Sequence, residues 1–168
     1  KEGLLGIMPG YLENLNAVGL KVVSVFHNNK ESDQDSHQGG VLVFEAEHGA
    51  LLAMVNASAI TAIRTAAVSG VATKLLARDD AAELAILGSG VQAHAHVNAM
   101  MAARQIGSIR VWSPNRDHVK AFARNISEKQ VVAVRETSTA QDAVKGADIV
   151  CTTTAAREPV LMGEWLAP

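Results

Sequence analysis

The chain has 168 residues, 48% of them hydrophobic and 19% charged, and folding at this length removes about 68–70% of the unfolded surface from water. A net charge of -2 and an aromatic content of 4% provide neither a positive field for gripping nucleic acid or an anionic membrane nor platforms for stacking bases. Small-molecule chemistry is the class that remains, with no nucleic acid and no membrane among the expected partners. The single cysteine, Cys151, cannot form an internal disulfide. With no signal-like segment or long apolar run expected, the simplest location is a reducing cytoplasm.

In chain order, "MPG" at 8–10 reads as a turn and residues 18–26 as a strand. On that strand Leu20, Val22, Ser24 and Phe26 share one face, and Lys21 shares the other with Val23 and Val25. A lone lysine near a strand end ordinarily packs its stem and sends its ammonium to water. The polar stretch "HNNKESDQDSHQGG" follows as a long loop, of the kind that is functional or mobile. "VLVFEA" and "LLAMV" then pair around "EHGA".

A helix is predicted over 59–77, capped by Asn56 or Ser58, with Ile60, Ile63, Ala67, Val71 and Leu75 at helical spacing. Its middle carries Ala66, Ala67, Ser69, Gly70 and Ala72, small enough to admit another backbone. Arg64 and Thr65 sit in its first two turns, where the helix dipole favours anions. After Asp79 and Asp80, which end or cap an element, strands "AELAIL", "SIRVWS", "VVAV" and "ADIVCTT" alternate with helices "VQAHAHVNAMMAARQ", "RDHVKAFARNI" and "TAQDAVK". Ser138 and Gln141 read as a capping box for the last of these. Such alternation dictates a parallel sheet with right-handed crossovers.

At the first strand-to-helix junction stands "GSGVQA": Gly88, Ser89, Gly90, Val91, Gln92 and Ala93. This is a G-x-G-x-x-A fingerprint in its required context. Gly88 makes the sharp turn, Gly90 lets a pyrophosphate approach the backbone, and Ala93 packs helix on strand. An acid at the end of the second strand would bind the ribose of NAD. Here that strand ends in Ser113, with Asn115 and Arg116 just beyond. Neutral donors followed by a cation suit a 2′-phosphate, so NADP is the expected cofactor and NAD the second choice.

Other chemistries find little support. His94 and His96 are two apart on a helix and diverge, no H-E-x-x-H or G-x-S-x-G occurs, and Cys151 lies inside an apolar strand. No metal site is expected.

The run "HQGGVLVFEAEHGALLAMVNASAITAIRTAAVSGVATKLLA" followed by "AILGSGVQAHAH", with "IMPGY", "GLKVVSVF" and "ADIVCTTTAAREPVLMGEW", resembles the ornithine cyclodeaminase and mu-crystallin family over nearly the whole chain. The resemblance implies an α/β protein. A mixed β-sheet domain for substrate binding and dimerisation, with its linking helix (1–78), precedes a Rossmann-type parallel sheet domain that binds NAD(P) (79–168), both partial. A homodimer is implied.

Residue by residue, the resemblance places Lys21 on the family's active-site lysine and Arg64 on the arginine that grips the substrate carboxylate. Thr65 falls beside the cofactor phosphates or nicotinamide, Ser36 on a loop approaching the cofactor, Gly88–Ala93 on the diphosphate, and Thr152, Thr153 and Thr154 near the nicotinamide. An ammonium on an apolar face is then explained, because a substrate carboxylate or imine nitrogen gives it a partner. Two positions depart from the family. Ala156 stands where cyclodeaminases carry an aspartate, and Pro114 where an arginine often follows the residue at Ser113. The family's upstream substrate arginine lies outside this chain. The implied activity is NAD(P)H-dependent oxidoreduction at the C–N bond of a 2-imino or 2-amino acid, nearer the mu-crystallin and ketimine reductase side. The alternatives are ornithine cyclodeamination and a crystallin-like protein that binds NADPH without turnover.

Overall fold

A computed structural model describes residues 3–26, 29 and 34–166, so much of the polar loop over 27–33 lies outside the described residues. The chain divides into two compact units, Lys1–Ile63 and Arg64–Pro168.

The first unit is an antiparallel meander of β1 (Leu4–Leu12), β2 (Ala17–Val25), β3 (His37–Glu45) and β4 (Leu51–Asn56), in that spatial order. The expected turn at 8–10 is absent: β1 runs straight through Pro9, which pairs with Leu20. β1 is an outer strand of this sheet, and an outer strand can spare the N–H that proline lacks. The real β1–β2 connection is a short 3-10 turn, Glu13–Leu15, ended by Asn16 in the left-handed region at φ 46°. Asparagine tolerates that conformation better than most residues. The β3–β4 turn is tied by the Glu45 carboxylate, which accepts from the backbone N–H of Glu47 (2.7 Å), His48 (2.7 Å) and Ala50 (2.9 Å). These bonds, that from Ala50 foremost, hold its carboxyl below the usual range.

Helix α1 (Ala57–Leu76) begins in the first unit and continues into the second. Of the two expected caps, Asn56 serves: its Oδ1 accepts from the N–H of Ser58 (2.8 Å) and Ala59 (3.1 Å). Within the second unit α1 shows its small residues inward, contrary to the expected apolar stripe. Ala66 and Gly70 are buried, whereas Val71 and Leu75 are exposed. The cause is close helix contact, since a Cβ on Gly70 would lie 3.2 Å from the Ala99 carbonyl oxygen. Among the described residues α1 is also long and apolar enough to cross a membrane, by length and composition. A long apolar run is therefore present, spread over alanine and glycine rather than concentrated in large side chains.

The second unit continues with β5 (Glu83–Leu87), α2 (Val91–Ala103), β6 (Ser108–Trp112), α3 (Arg116–Lys129), β7 (Ala133–Glu136), α4 (Ala140–Val144) and β8 (Ile149–Thr152). Its strands are all parallel in the order β7-β6-β5-β8, one half of a doubly wound sheet. Helices cover both faces, so the central strand reads as an unbroken apolar run. Leu84, Ile86, Val97, Met100, Ile109 and Phe122 form the larger cluster; Leu87, Ala140, Ala143 and Val144 form the smaller. Helix α4 is capped by Thr139, whose Oγ1 accepts from the N–H of Asp142 (3.0 Å) and donates to its carboxylate (2.7 Å). The cap thus lies one residue beyond the expected Ser138, and it is a side-chain pair with Asp142 where a capping box with Gln141 was expected.

Candidate functional site

The strand order reverses at β5, whose neighbours are β6 and β8, and ligands of open parallel sheets bind at such a switch point, beyond the carboxyl ends of the strands. The glycine turn stands at that place. Gly88 N–H donates to the Trp112 carbonyl at the end of β6 (2.8 Å), and Thr153 N–H donates to the Leu87 carbonyl beside β8 (2.8 Å). Gly88 has φ +123°, and a Cβ there would lie 2.5 Å from the Thr153 carbonyl oxygen. Only glycine fits.

Gly90 differs in kind. A Cβ on it would meet nothing within 4 Å, so its role is not internal packing, and an incoming group could lie flat against the backbone there. It precedes α2, which begins with no side-chain cap, whereas α3 is capped by Asn115 and α4 by Thr139. The first N–H groups of α2 are thereby left to an anion. Ala93 is fully buried, as its packing role requires. Thr65, in the same unit, has a buried Oγ1 with no hydrogen-bond partner, which leaves one polar atom for a ligand to satisfy. Gly88, Gly90 and the uncapped start of α2 fit a dinucleotide diphosphate.

Beyond β6 a cavity of about 420 Å³ is lined by Ser113, Arg116, Lys120, Glu136, Thr137 and Ser138 among others. Lys120, one turn after Arg116, carries no signal in the sequence, where it reads like any exposed helical lysine. Asn115 spends its Oδ1 on the cap of α3, accepting from Asp117 N–H (3.0 Å) and His118 N–H (3.1 Å). Thr153 Oγ1 donates to the Leu87 carbonyl (3.3 Å), and Thr154 Oγ1 accepts from Ala156 N–H (3.1 Å). Thr152 ends β8 exposed.

Arg64 lies on α1 with an exposed side chain, and among the described residues no carboxylate pairs with it. One turn and a half further, Ser69 meets His96 of α2: the ring Nδ1 is 2.8 Å from the Gln92 carbonyl and Nε2 is 3.0 Å from Ser69 Oγ. A carbonyl can only accept, so Nδ1 carries a proton, while Nε2 faces the Ser69 hydroxyl, which also reaches the Thr65 carbonyl at 3.4 Å. His96 is thus a buried strut between α1 and the first turn of α2. His94 packs on Phe122 with ring centroids 4.5 Å apart, and burial, then the Lys129 charge, lowers its pKa. The Cys151 thiol is pushed up to about 11 by burial, which leaves it unreactive.

In the first unit, Lys21 sits half-buried on β2 between Met8 of β1 and Val41 of β3. Its Nζ donates to Thr61 Oγ1 at 2.6 Å, and that hydroxyl donates to the Ala57 carbonyl at 2.6 Å. Ser36, also in this unit, has its Oγ 3.0 Å from His37 Nδ1, and its carbonyl accepts from Phe26 N–H (2.9 Å). Nothing in the sequence marks Thr61, because a separation of forty residues between the partners carries no local signal.

A glycine turn at the switch point of a parallel sheet, with an uncapped helix behind it, defines a Rossmann-type α/β unit. The sequence profile of the ornithine cyclodeaminase/mu-crystallin family matches residues 1–168, and the chain belongs to that family. Ketimine reductase mu-crystallin of Mus musculus is 40% identical over 167 residues, 99% of this chain and 52% of that protein. Delta(1)-pyrroline-2-carboxylate reductase of Bacillus cereus is 40% identical over 154 residues, 92% of this chain and 47% of that protein. Among solved structures, the Thermococcus litoralis Delta(1)-pyrroline-2-carboxylate reductase in complex with NADH and L-proline superposes with a TM-score of 0.94 at 38% identity, covering 98% of this chain and 51% of that one. The chain spans about half the length of the relatives it matches.

Proposed function

We propose that this protein is an NAD(P)H-dependent oxidoreductase acting on the C–N bond of a 2-imino or 2-amino acid, as a ketimine reductase or amino acid dehydrogenase does. The observation that carries this reading is Lys21, an ammonium on an apolar strand face and bonded to a helix hydroxyl, in a chain whose relatives are named as imine reductases. Residues 1–78 supply substrate binding and the homodimer contact, and 79–168 supply the dinucleotide site. Arg64 holds the substrate carboxylate, since a planar guanidinium makes two parallel hydrogen bonds to it. Lys21 holds the carboxylate or imine region and passes a proton to the nitrogen. When bound, the reduced nicotinamide supplies the hydride. Gly88–Ala93 and Thr65 take the diphosphate, Thr152–Thr154 and the Ser36 loop border the nicotinamide, and the reducing cytoplasm is the proposed location.

NADP is the proposed cofactor, with NAD second. Ser113 and Arg116 line the cavity where a 2′-phosphate would lie, and Lys120 supplies a second cation, while Asn115 does not line it and instead caps the helix that carries both cations. Two cations against the single carboxylate of Glu136 leave that lining positive. The reductase is favoured over a cyclodeaminase because Ala156 provides no carboxylate for a substrate amine or a catalytic water. The test is titration of NADPH against NADH, followed by a cyclic ketimine and by ornithine as substrates. The expected result is NADPH binding at least about tenfold tighter, one or two charge-assisted hydrogen bonds' worth, with ketimine-dependent oxidation of NADPH. Proline and ammonia formed from ornithine would overturn the reading of Ala156. Tight NADPH binding with no turnover of any amino or imino acid would favour a non-catalytic binding protein.

A further inference from the structure

We infer that Thr61 is the positioning residue for the Lys21 ammonium. The inference rests on the proposed catalytic role of Lys21 and adds the group that aims it. A lysine side chain has a flexible four-carbon stem and a compact, strongly hydrated head, so on a strand face its Nζ is not fixed by backbone geometry alone. Strand β2 places the Cβ of Lys21 but leaves the head to find acceptors. Thr61, in the first turns of α1, supplies one at 2.6 Å. Its own hydroxyl proton is committed to the Ala57 carbonyl, also at 2.6 Å.

That second bond decides the polarity of the first. With its proton turned back along the helix, the threonine oxygen presents only lone pairs to the ammonium. A charge-assisted bond results, between a cation and a neutral acceptor. Neutrality matters for the proposed chemistry. A carboxylate in the same place would compete with a substrate carboxylate for Lys21, whereas a hydroxyl fixes the direction of Nζ without adding a negative charge beside it. Ala57, whose carbonyl ends the relay, is fully buried, and Asn56 caps the helix just before it. The anchor of the relay is therefore rigid, while β-branching restricts the Thr61 rotamer.

The test uses the full chain with Thr61→Val, which keeps the shape and removes the hydroxyl, and Thr61→Ser, which keeps the hydroxyl. Thr61→Val is expected to lower kcat about tenfold to a hundredfold, the cost of misplacing a reacting group by about an ångström. NADPH affinity should be unchanged and KM should move less than kcat. Thr61→Ser is expected to restore kcat to within about threefold, about two-thirds of an ordinary hydrogen bond's net worth. Lys21→Ala is run alongside. If Lys21→Ala is inactive while Thr61→Val turns over like the parent, or Thr61→Ser fails to rescue, the positioning role is wrong and the catalytic role of Lys21 stands. If Lys21→Ala itself keeps turnover, the proposed function is what fails. Should Thr61→Val not fold, Thr61→Ala, which also removes the hydroxyl, is read against Thr61→Ser in its place.

Discussion

The two sheets of this chain solve the same problem to different degrees. In the parallel sheet Leu84, Ala85, Ile86 and Leu87 are all at 0% exposure, because the crossover helices that make strands parallel also lie over both faces. In the antiparallel sheet β1 leaves Leu4, Leu5, Ile7, Met8, Tyr11 and Leu12 exposed, and β4 does the same with Leu51, Leu52 and Met54. Hairpin connections bring strands together without bringing any cover. The lesson is that the dinucleotide unit carries its own core, while the meander, which holds Lys21 and Ser36, leaves a large apolar surface open on these outer strands. An exposed apolar surface of that kind is consistent with the dimer role proposed for the first unit.

Three substitutions probe this contrast, from the largest effect downward. Gly88→Val should abolish nucleotide binding, with at least a hundredfold loss on titration of NADPH, and should destabilise the unit. It forces a branched side chain into φ +123° and onto the Thr153 carbonyl, a conformation that costs about 1–3 kcal/mol before any clash. Next, Ile86→Ala should cost about 2–5 kcal/mol in urea unfolding, as a fully buried core truncation does. Met54→Ala, at a site 74% exposed, should stay within about 0.5 kcal/mol. Equal losses at the two positions would break the contrast between the sheets.

The smallest effect concerns pH. Asp148 accepts from the N–H of Ala82 and of Glu83, both at 2.9 Å, and pairs with Arg78. These bonds, Ala82 foremost, hold its carboxyl below the ordinary aspartate value of 3.8. A carboxyl with a depressed folded-state pKa adds stability above its unfolded pKa and loses it as pH falls through the folded one. Asp148→Asn should therefore lower the stability of the parallel unit at neutral pH, where the ionised carboxylate contributes, and flatten the loss of stability below pH 3.8 in acid titrations followed by circular dichroism. An unchanged acid limb would show that the contact does not bear on stability.

Much of the parallel unit was legible because its signals are local. Short apolar runs alternating with helical spacing, and a glycine turn between the first pair, give the parallel sheet and the place of that turn together. What escaped depended on partners distant in sequence. Pro9 reads as a turn until its strand is known to be an outer one. Close approach at the small residues of α1 was legible and occurs at Gly70, but the large Ile63, Val71 and Leu75 read as a stripe facing the core and are exposed. The cap at Thr139 instead of Ser138 is a shift of one residue that propensity cannot resolve, since both are good caps. Thr61 and the Ser69–His96 strut were invisible for a related reason: each is an ordinary helical residue until another element arrives beside it.

The most direct test is the oxidation of NADPH by a cyclic 2-imino acid, followed by absorbance in the parent protein and in Lys21→Ala, with cofactor affinity measured in both. The prediction is robust turnover in the parent and its abolition in Lys21→Ala, with NADPH affinity unchanged within about tenfold, about 1.4 kcal/mol. Undiminished turnover in Lys21→Ala would contradict it.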